Sequence, residues 1–157
     1  MDGLNKDNPS KYNGGLYNAI TLYRLSRYFR LKRLTIIAKL TEGLTHFLFN
    51  SVIPGTSKIG KGTFCSHRGI AVVIHKNSVI GENCVIGTSV VLGGRHESSP
   101  GGPIIGNRVY IGTGAKLIGA INIGDDVKIG ANSVVLSDVP AGCTVVGIPA
   151  KSFKREI

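Results

Sequence analysis

The chain has 157 residues, 42% of them hydrophobic, with 22 glycines, no tryptophan and a formal net charge of +10. That length fits one domain with a short accessory segment, and no apolar run reaches the roughly 18 residues of a membrane-spanning helix. The polar start MDGLNKDNPSKYNGG lacks the apolar core of a signal peptide, so a cytoplasmic protein is expected, and the three cysteines, Cys65, Cys84 and Cys143, show no metal-type spacing and read as reduced, mostly buried thiols.

Residues 1–50 read as an N-terminal helical segment, with helices over 16–30 and 33–49. Arg24, Arg27, Arg30, Lys32, Arg33 and Lys39 fall in a stretch with no acid between Asp7 and Glu42. Aliphatic and aromatic residues interleave with them, which indicates a basic amphipathic helix rather than a nucleic-acid motif. Such a helix suits peripheral contact with an anionic membrane or ordinary packing on the rest of the protein. In the second helix Leu34, Ile37, Leu44, Phe47 and Leu48 lie near one face. Pro54 and Gly55 stand where a different pattern begins.

From there a six-residue rhythm takes over. Ile53, Ile59 and Cys65 are followed, after a jump, by Ile74, Ile80, Ile86 and Leu92. A second jump leads to Ile105, Ile111, Leu117, Ile123, Ile129 and Val135. Glycine follows most of these guide residues, and four positions on the residue is small or β-branched, as in Thr63, Ser78, Cys84, Val90 and Val109. A period of six matches neither a helix nor a lone alternating strand. It predicts a mainly β fold, a parallel β-helix over 51–139, in which short strands stack coil on coil and glycine serves corners that demand a positive φ. The first jump holds FCSHRGIAVVI, with His67 at the break. The second holds GGRHESSPGGP, a protruding loop over 93–104 with Arg95 and His96. His75 reads as a surface corner and His46 as packing or surface. Residues 140–157, punctuated by Pro140 and Pro149, read as a tail beside the last coils.

The repeats, the tail DVPAGCTVVGIPAKSFK and the pair SHRGIAVVI and VVLGG together resemble the hexapeptide-repeat acyltransferases, most closely their serine acetyltransferase-like branch. The resemblance covers residues 51–154. It implies a left-handed β-helix, acetyl-CoA as co-substrate, no metal, and a homotrimer with active sites between subunits. His67 stands at the position of that branch's catalytic histidine, nine residues after Lys58. An imidazole with pKa near 6.5 suits removal of a hydroxyl proton during attack on a thioester. His96 is the rival base, because in sugar acetyltransferases of the superfamily the histidine lies near this point; otherwise His96 and Arg95 are acceptor-site groups, as is Ser66 beside His67. Thr113, Ala131 and Ser137 match contacts to the pantetheine arm and the adenine end of CoA. Lys151 and Lys154 match a basic pair at its phosphates. Backbone N–H groups near Gly93 and Gly94 are candidates for an oxyanion site.

Two positions depart from the branch. It carries an aspartate about fifteen residues before the histidine and another directly before it; here these are Val52 and Ser66. A carboxylate for His67 would have to come from Glu82, Glu97 or a neighbouring subunit, unless a backbone carbonyl orients the ring. Loss of an anion that pairs with an ammonium weighs against free L-serine as acceptor. The expectation is therefore an acetyl-CoA-dependent O-acetyltransferase acting on a glycan hydroxyl of a surface polysaccharide or its precursor. L-serine O-acetylation and a non-enzymatic trimeric scaffold are the alternatives. Cys65, at a guide position, is expected in the core rather than as a nucleophile.

Overall fold

The computed structural model describes residues 17–95 and 101–153. Two helices, α1 (Ala19–Leu31) and α2 (Thr35–Phe49), precede the strands. In chain order these are β1 (Lys58–Ile59), β2 (Phe64–Cys65), β3 (Val73–Ile74), β4 (Val79–Ile80), β5 (Val85–Ile86), β6 (Val91–Gly93), β7 (Ile104–Ile105), β8 (Tyr110–Ile111), β9 (Lys116–Ile118), β10 (Asn122–Ile123), β11 (Lys128–Ile129), β12 (Val134–Val135), β13 (Thr144–Gly147) and β14 (Ala150–Phe153). They form three sheets, ordered β1-β4-β7-β10, β2-β5-β8-β11-β13-β14 and β3-β6-β9-β12. The chain visits faces I, II and III in turn. Every pairing is parallel except β13 with β14, which folds back on it. This is the parallel β-helix that the six-residue period predicts.

All thirteen guide residues, from Ile53 to Val135, are buried, and so are the residues four positions on that the structure describes. They stack in columns, as in the alignment of Ile86 with Ile111 and of Leu92 with Leu117. A two-residue strand buries almost nothing alone, so the fold depends on coil stacking.

The glycines after the guide residues have a different cause from the one expected. None of Gly60, Gly81, Gly87, Gly106, Gly112, Gly124 and Gly130 has a positive φ. They are needed because the next coil passes too close: a Cβ on Gly87 would lie 2.6 Å from the Thr113 nitrogen, and one on Gly112 2.6 Å from that of Ala131. The left-handed residue comes three after the guide, on two of the three edges. Gly62, Asn83, Arg108 and Asp126 hold it between faces I and II, and Arg68, Ser89, Gly114 and Asn132 between faces II and III. Glycine, asparagine and aspartate, which tolerate this region best, take most of these places.

The basic helix is turned inward for half of its cations. α1 closes the open end of the β-helix, where the first coil has no neighbour to satisfy its backbone. The buried Tyr23 hydroxyl donates to the Ser57 carbonyl (2.9 Å) and accepts from the Ile59 N–H (3.1 Å). Arg24 donates to the Gly60 carbonyl (2.8 Å) and Arg27 to that of Ser57 (2.9 Å). The large apolar residues of α2 do the opposite. Ala38, Thr41, Thr45 and Phe49 face the protein, while Leu34, Ile37, Leu44, Phe47 and Leu48 are exposed.

Glu42 joins the two helices to the first coil. Its Oε1 accepts from the Ser26 hydroxyl (2.8 Å), Arg30 Nε (2.9 Å) and the Gly55 N–H (2.8 Å). Burial opposes its ionisation, yet the bonds from Arg30, Gly55 and Ser26 hold its carboxyl below the usual range. A folded-state pKa that is lowered contributes stability present above the ordinary carboxylate value of about 4.3 and lost as pH falls through the lowered one. Glu42→Gln should accordingly destabilise the helical hairpin by roughly 1–3 kcal/mol. Urea unfolding of the variant, with a smaller acid dependence than wild type below about pH 4.3, checks both points.

Candidate functional site

The first break in the rhythm places His67. The chain leaves β2 at Cys65, makes one tight turn over Ser66–Gly69 and regains the coil at β3. His67 (φ 48°, ψ 45°), Arg68 (φ 66°), Gly69 (φ 75°) and Ala71 (φ 57°) are all left-handed. Arg68 is the residue any corner of this edge would bend; the other three belong to the insertion. His67 and Arg68 are thereby exposed, while Gly69 is buried against α1. A Cβ on Gly69 would lie 3.0 Å from the Ala19 Cβ and 2.9 Å from that of Cys65.

The neighbours of His67 are backbone rather than acid. Among the described residues no carboxylate forms an ion pair with it. Glu82 lies on the edge between faces I and II, where its N–H donates to Asn107 Oδ1 (2.8 Å). Glu97 lies outside the described residues. Val52 bridges to Val73 as part of face III. The Ser66 hydroxyl donates to the Ile86 carbonyl at 3.2 Å. Cys65 is wholly buried, and burial pushes its thiol up to about 12, so no thiolate is available beside His67.

Thr113 and Ala131 are exposed on the same II–III edge as His67. Thr88 stands between, its hydroxyl 3.5 Å from that of Thr113, and the Asn132 N–H donates to the Thr113 carbonyl at 2.8 Å. Each coil adds about 4.8 Å, so Thr113 lies ~10 Å and Ala131 ~14 Å below the level of His67. Lys151 pairs across from Val146, which packs over Gly130 on this edge. One chain thus aligns His67, Thr113, Ala131 and Lys151 along a single edge.

The remaining candidates lie elsewhere. Gly93 ends β6, Gly94 and Arg95 follow it on the edge between faces III and I, and Ser137 follows β12 on that same edge. Arg95 lies along Gly119, its Cβ 3.5 Å from where a Cβ of that glycine would be. His96 and Lys154 lie outside the described residues. His75 stands at the corner after β3 and is half-buried, its Nδ1 2.8 Å from the Cβ position of Gly102 and its Nε2 3.6 Å from that of Gly94, so the ring wedges between the two ends of the second break. Beside it the Ser78 hydroxyl is buried with no partner among the described residues. His46 is exposed on α2. No cluster of three or more metal-ligating side chains occurs among the described residues.

The residues missed by sequence reasoning are Asn18 and Ser51, both buried polar side chains that bond to the ends of the His67 insertion. Asn18 directly before an apolar run is a helix-start signal; nothing in the spacing shows that its amide reaches a second element.

Comparison with known proteins now has a geometry to meet. A family model described as bacterial transferase hexapeptide (six repeats) matches residues 102–137. A serine acetyltransferase of Helicobacter pylori is 43% identical over 140 residues, 88% of this chain and 81% of its own length. The chain belongs to the serine acetyltransferase family. Among solved structures, the serine acetyltransferase of Neisseria gonorrhoeae in complex with serine superimposes with a TM-score of 0.81 at 35% identity over 87% of this chain. That of Brucella abortus in complex with coenzyme A gives 0.81 at 34% over 85%. This member of the family spans only about half of those chains, 55% and 54%.

Membership overturns the expected glycan acceptor, and with it the place in polysaccharide biosynthesis. That expectation rested on Ser66 and Val52, two positions, whereas the likeness to proteins named for serine runs through 140 residues. The scaffold alternative falls with it. The fold, a left-handed β-helix of hexapeptide repeats, stands as expected.

Proposed function

We propose that this chain is an acetyl-CoA-dependent serine O-acetyltransferase. The observation that carries the reading is the likeness to the Helicobacter serine acetyltransferase through 81% of that protein's length. The edge supports it: an exposed imidazole at an inserted corner, in line with Thr113, Ala131 and Lys151.

In this reading the neutral His67 imidazole takes the proton of the serine hydroxyl, and the oxygen attacks the acetyl thioester carbonyl. The tetrahedral intermediate collapses with loss of the CoA thiolate, which takes the proton back from the imidazolium, so charge and atoms balance. The pantetheine arm runs along the II–III edge past Thr113 and Ala131, toward Lys151 at the phosphates. Gly93, Gly94, Arg95 and Ser137 lie on another edge of the same chain and reach the site from a neighbouring copy, which favours a homotrimer with sites between subunits. Arg95 and His96 are acceptor-site groups, with Arg95 suited to the serine carboxylate.

The structure has no helix long and apolar enough to cross a membrane among the described residues. Peripheral membrane contact by the basic helix has no support, since Arg24, Arg27 and Arg30 are bonded within the chain.

Release of free thiol from acetyl-CoA with L-serine as acceptor tests the function. Serine-dependent thiol release is expected; none above the hydrolysis background overturns it.

A further inference from the structure

The turn that carries His67 is held at both ends by buried side chains from outside the β-helix. At its entrance, the Asn18 side chain faces two ways. Its Oδ1 accepts from the Ile20 N–H (3.1 Å), capping α1, and its Nδ2 donates to the Cys65 carbonyl (3.0 Å), two residues before His67. At its exit, the Ser51 hydroxyl donates to the Gly69 carbonyl and accepts from the Val72 N–H (2.9 Å). Both residues are at least 98% buried. Between these anchors lie four left-handed residues within five positions, His67, Arg68, Gly69 and Ala71. Strained backbone of this kind persists only where its surroundings over-determine it.

Resting on the reading of His67 as the base, we propose that Asn18 and Ser51 are positioning residues for His67, which no carboxylate of the described residues orients. The helical segment is in this respect part of the active site. Its first turn fixes where the imidazole stands relative to the thioester, through the carbonyl of Cys65 and the close seat of Gly69 on Ala19. A general base held by packing and hydrogen bonds to its backbone needs no acid partner for direction. A displacement of about 1 Å at such a group costs up to ~10²-fold in rate.

Asn18→Asp separates the two duties of the side chain. It retains the oxygen that caps α1 and loses the N–H that binds Cys65. Expected are a kcat lowered ~10-fold or more, a KM for acetyl-CoA within about twofold of wild type, and unchanged helix content by circular dichroism. Asn18→Ser, which keeps a capping oxygen too short to reach Cys65, gives the same loss and serves if the aspartate variant does not fold. The decisive measurement is the double variant with His67→Ala. If Asn18 acts through His67, N18D costs nothing further in that background. Wild-type kcat in both folded Asn18 variants overturns the proposal, and so does an equal loss with and without His67, which would mean a structural role alone. Normal turnover in His67→Ala by itself instead overturns the assignment of the base, and the clamp's catalytic role with it.

Discussion

Replacing His67 with alanine is expected to lower kcat by ~10²-fold or more and to leave acetyl-CoA binding intact. The split between the two effects follows from where the residue sits. His67 is exposed at the corner of the first coil, so its side chain supports no packing that the fold needs. The proposed CoA contacts lie on later coils, at Thr113, Ala131 and Lys151, in segments whose hydrogen bonds do not involve residue 67. Steady-state thiol release gives kcat, and calorimetric titration with CoA gives the affinity. Near-normal turnover in this variant, with loss in His96→Ala, would transfer the role of base to the second break. A thiol nucleophile is not a competing explanation for residual activity, because Cys65 is sealed in the core with its thiol pushed up to about 12.

Ile111→Ala should cost about 2–5 kcal/mol of stability. Ile111 is wholly buried in the middle of a column, with Ile86 on one side and Ile129 on the other. Deleting its outer carbons leaves a gap that the coils cannot close. Their separation is set by the parallel hydrogen bonds of face II and by the tight glycine corners, where the Cβ of any other residue on Gly112 would meet the Ala131 backbone. Against the 5–15 kcal/mol typical of a domain this is a large share. Urea titration followed by circular dichroism measures it. A cost under 1 kcal/mol would mean that the column collapses freely, and that the coils are less rigid than their spacing suggests.

Both predictions rest on parts of the molecule that were legible to different degrees. The columns were readable almost residue by residue. A six-residue period has one structural solution among common folds, and every guide residue from Ile53 to Val135 is buried. The cause of the glycines was not readable, because a pattern of Ile-Gly pairs looks the same whether glycine bends the chain or makes room. Only the distance to the next coil distinguishes them. The candidate site was half legible. The register break at His67 was visible as an interruption, and the alignment of Thr113 with Ala131 followed from their spacing of one coil. The acceptor was misjudged from Ser66 and Val52, since local residue identity carries less information than a relationship extending through most of the chain.

The helical segment was the least legible. Its second helix gathers apolar residues near one face, and the structure buries the other, with Ala38, Thr41 and Thr45 buried and Leu44, Phe47 and Leu48 exposed. Helical periodicity reports that a face is apolar, not what it meets. The same holds for its charges, where Arg24 and Arg27 prove to be hydrogen-bond donors to the first coil rather than a surface for anions.

The sequence by itself determined the β-helix, the order of its coils, the two places where they are interrupted and the histidine at the first of them. These follow from periodicity, which acts between residues near in the chain and is written in their spacing. Only the tertiary structure decided that α1 closes the open end of the β-helix, that Glu42 ties the helices to Gly55, and that Asn18 and Ser51 hold the His67 turn from outside. Each of these is a contact between segments whose spacing follows no period: Asn18 and Cys65 are 47 residues apart, and a hydrogen bond at that separation is set by how the elements pack.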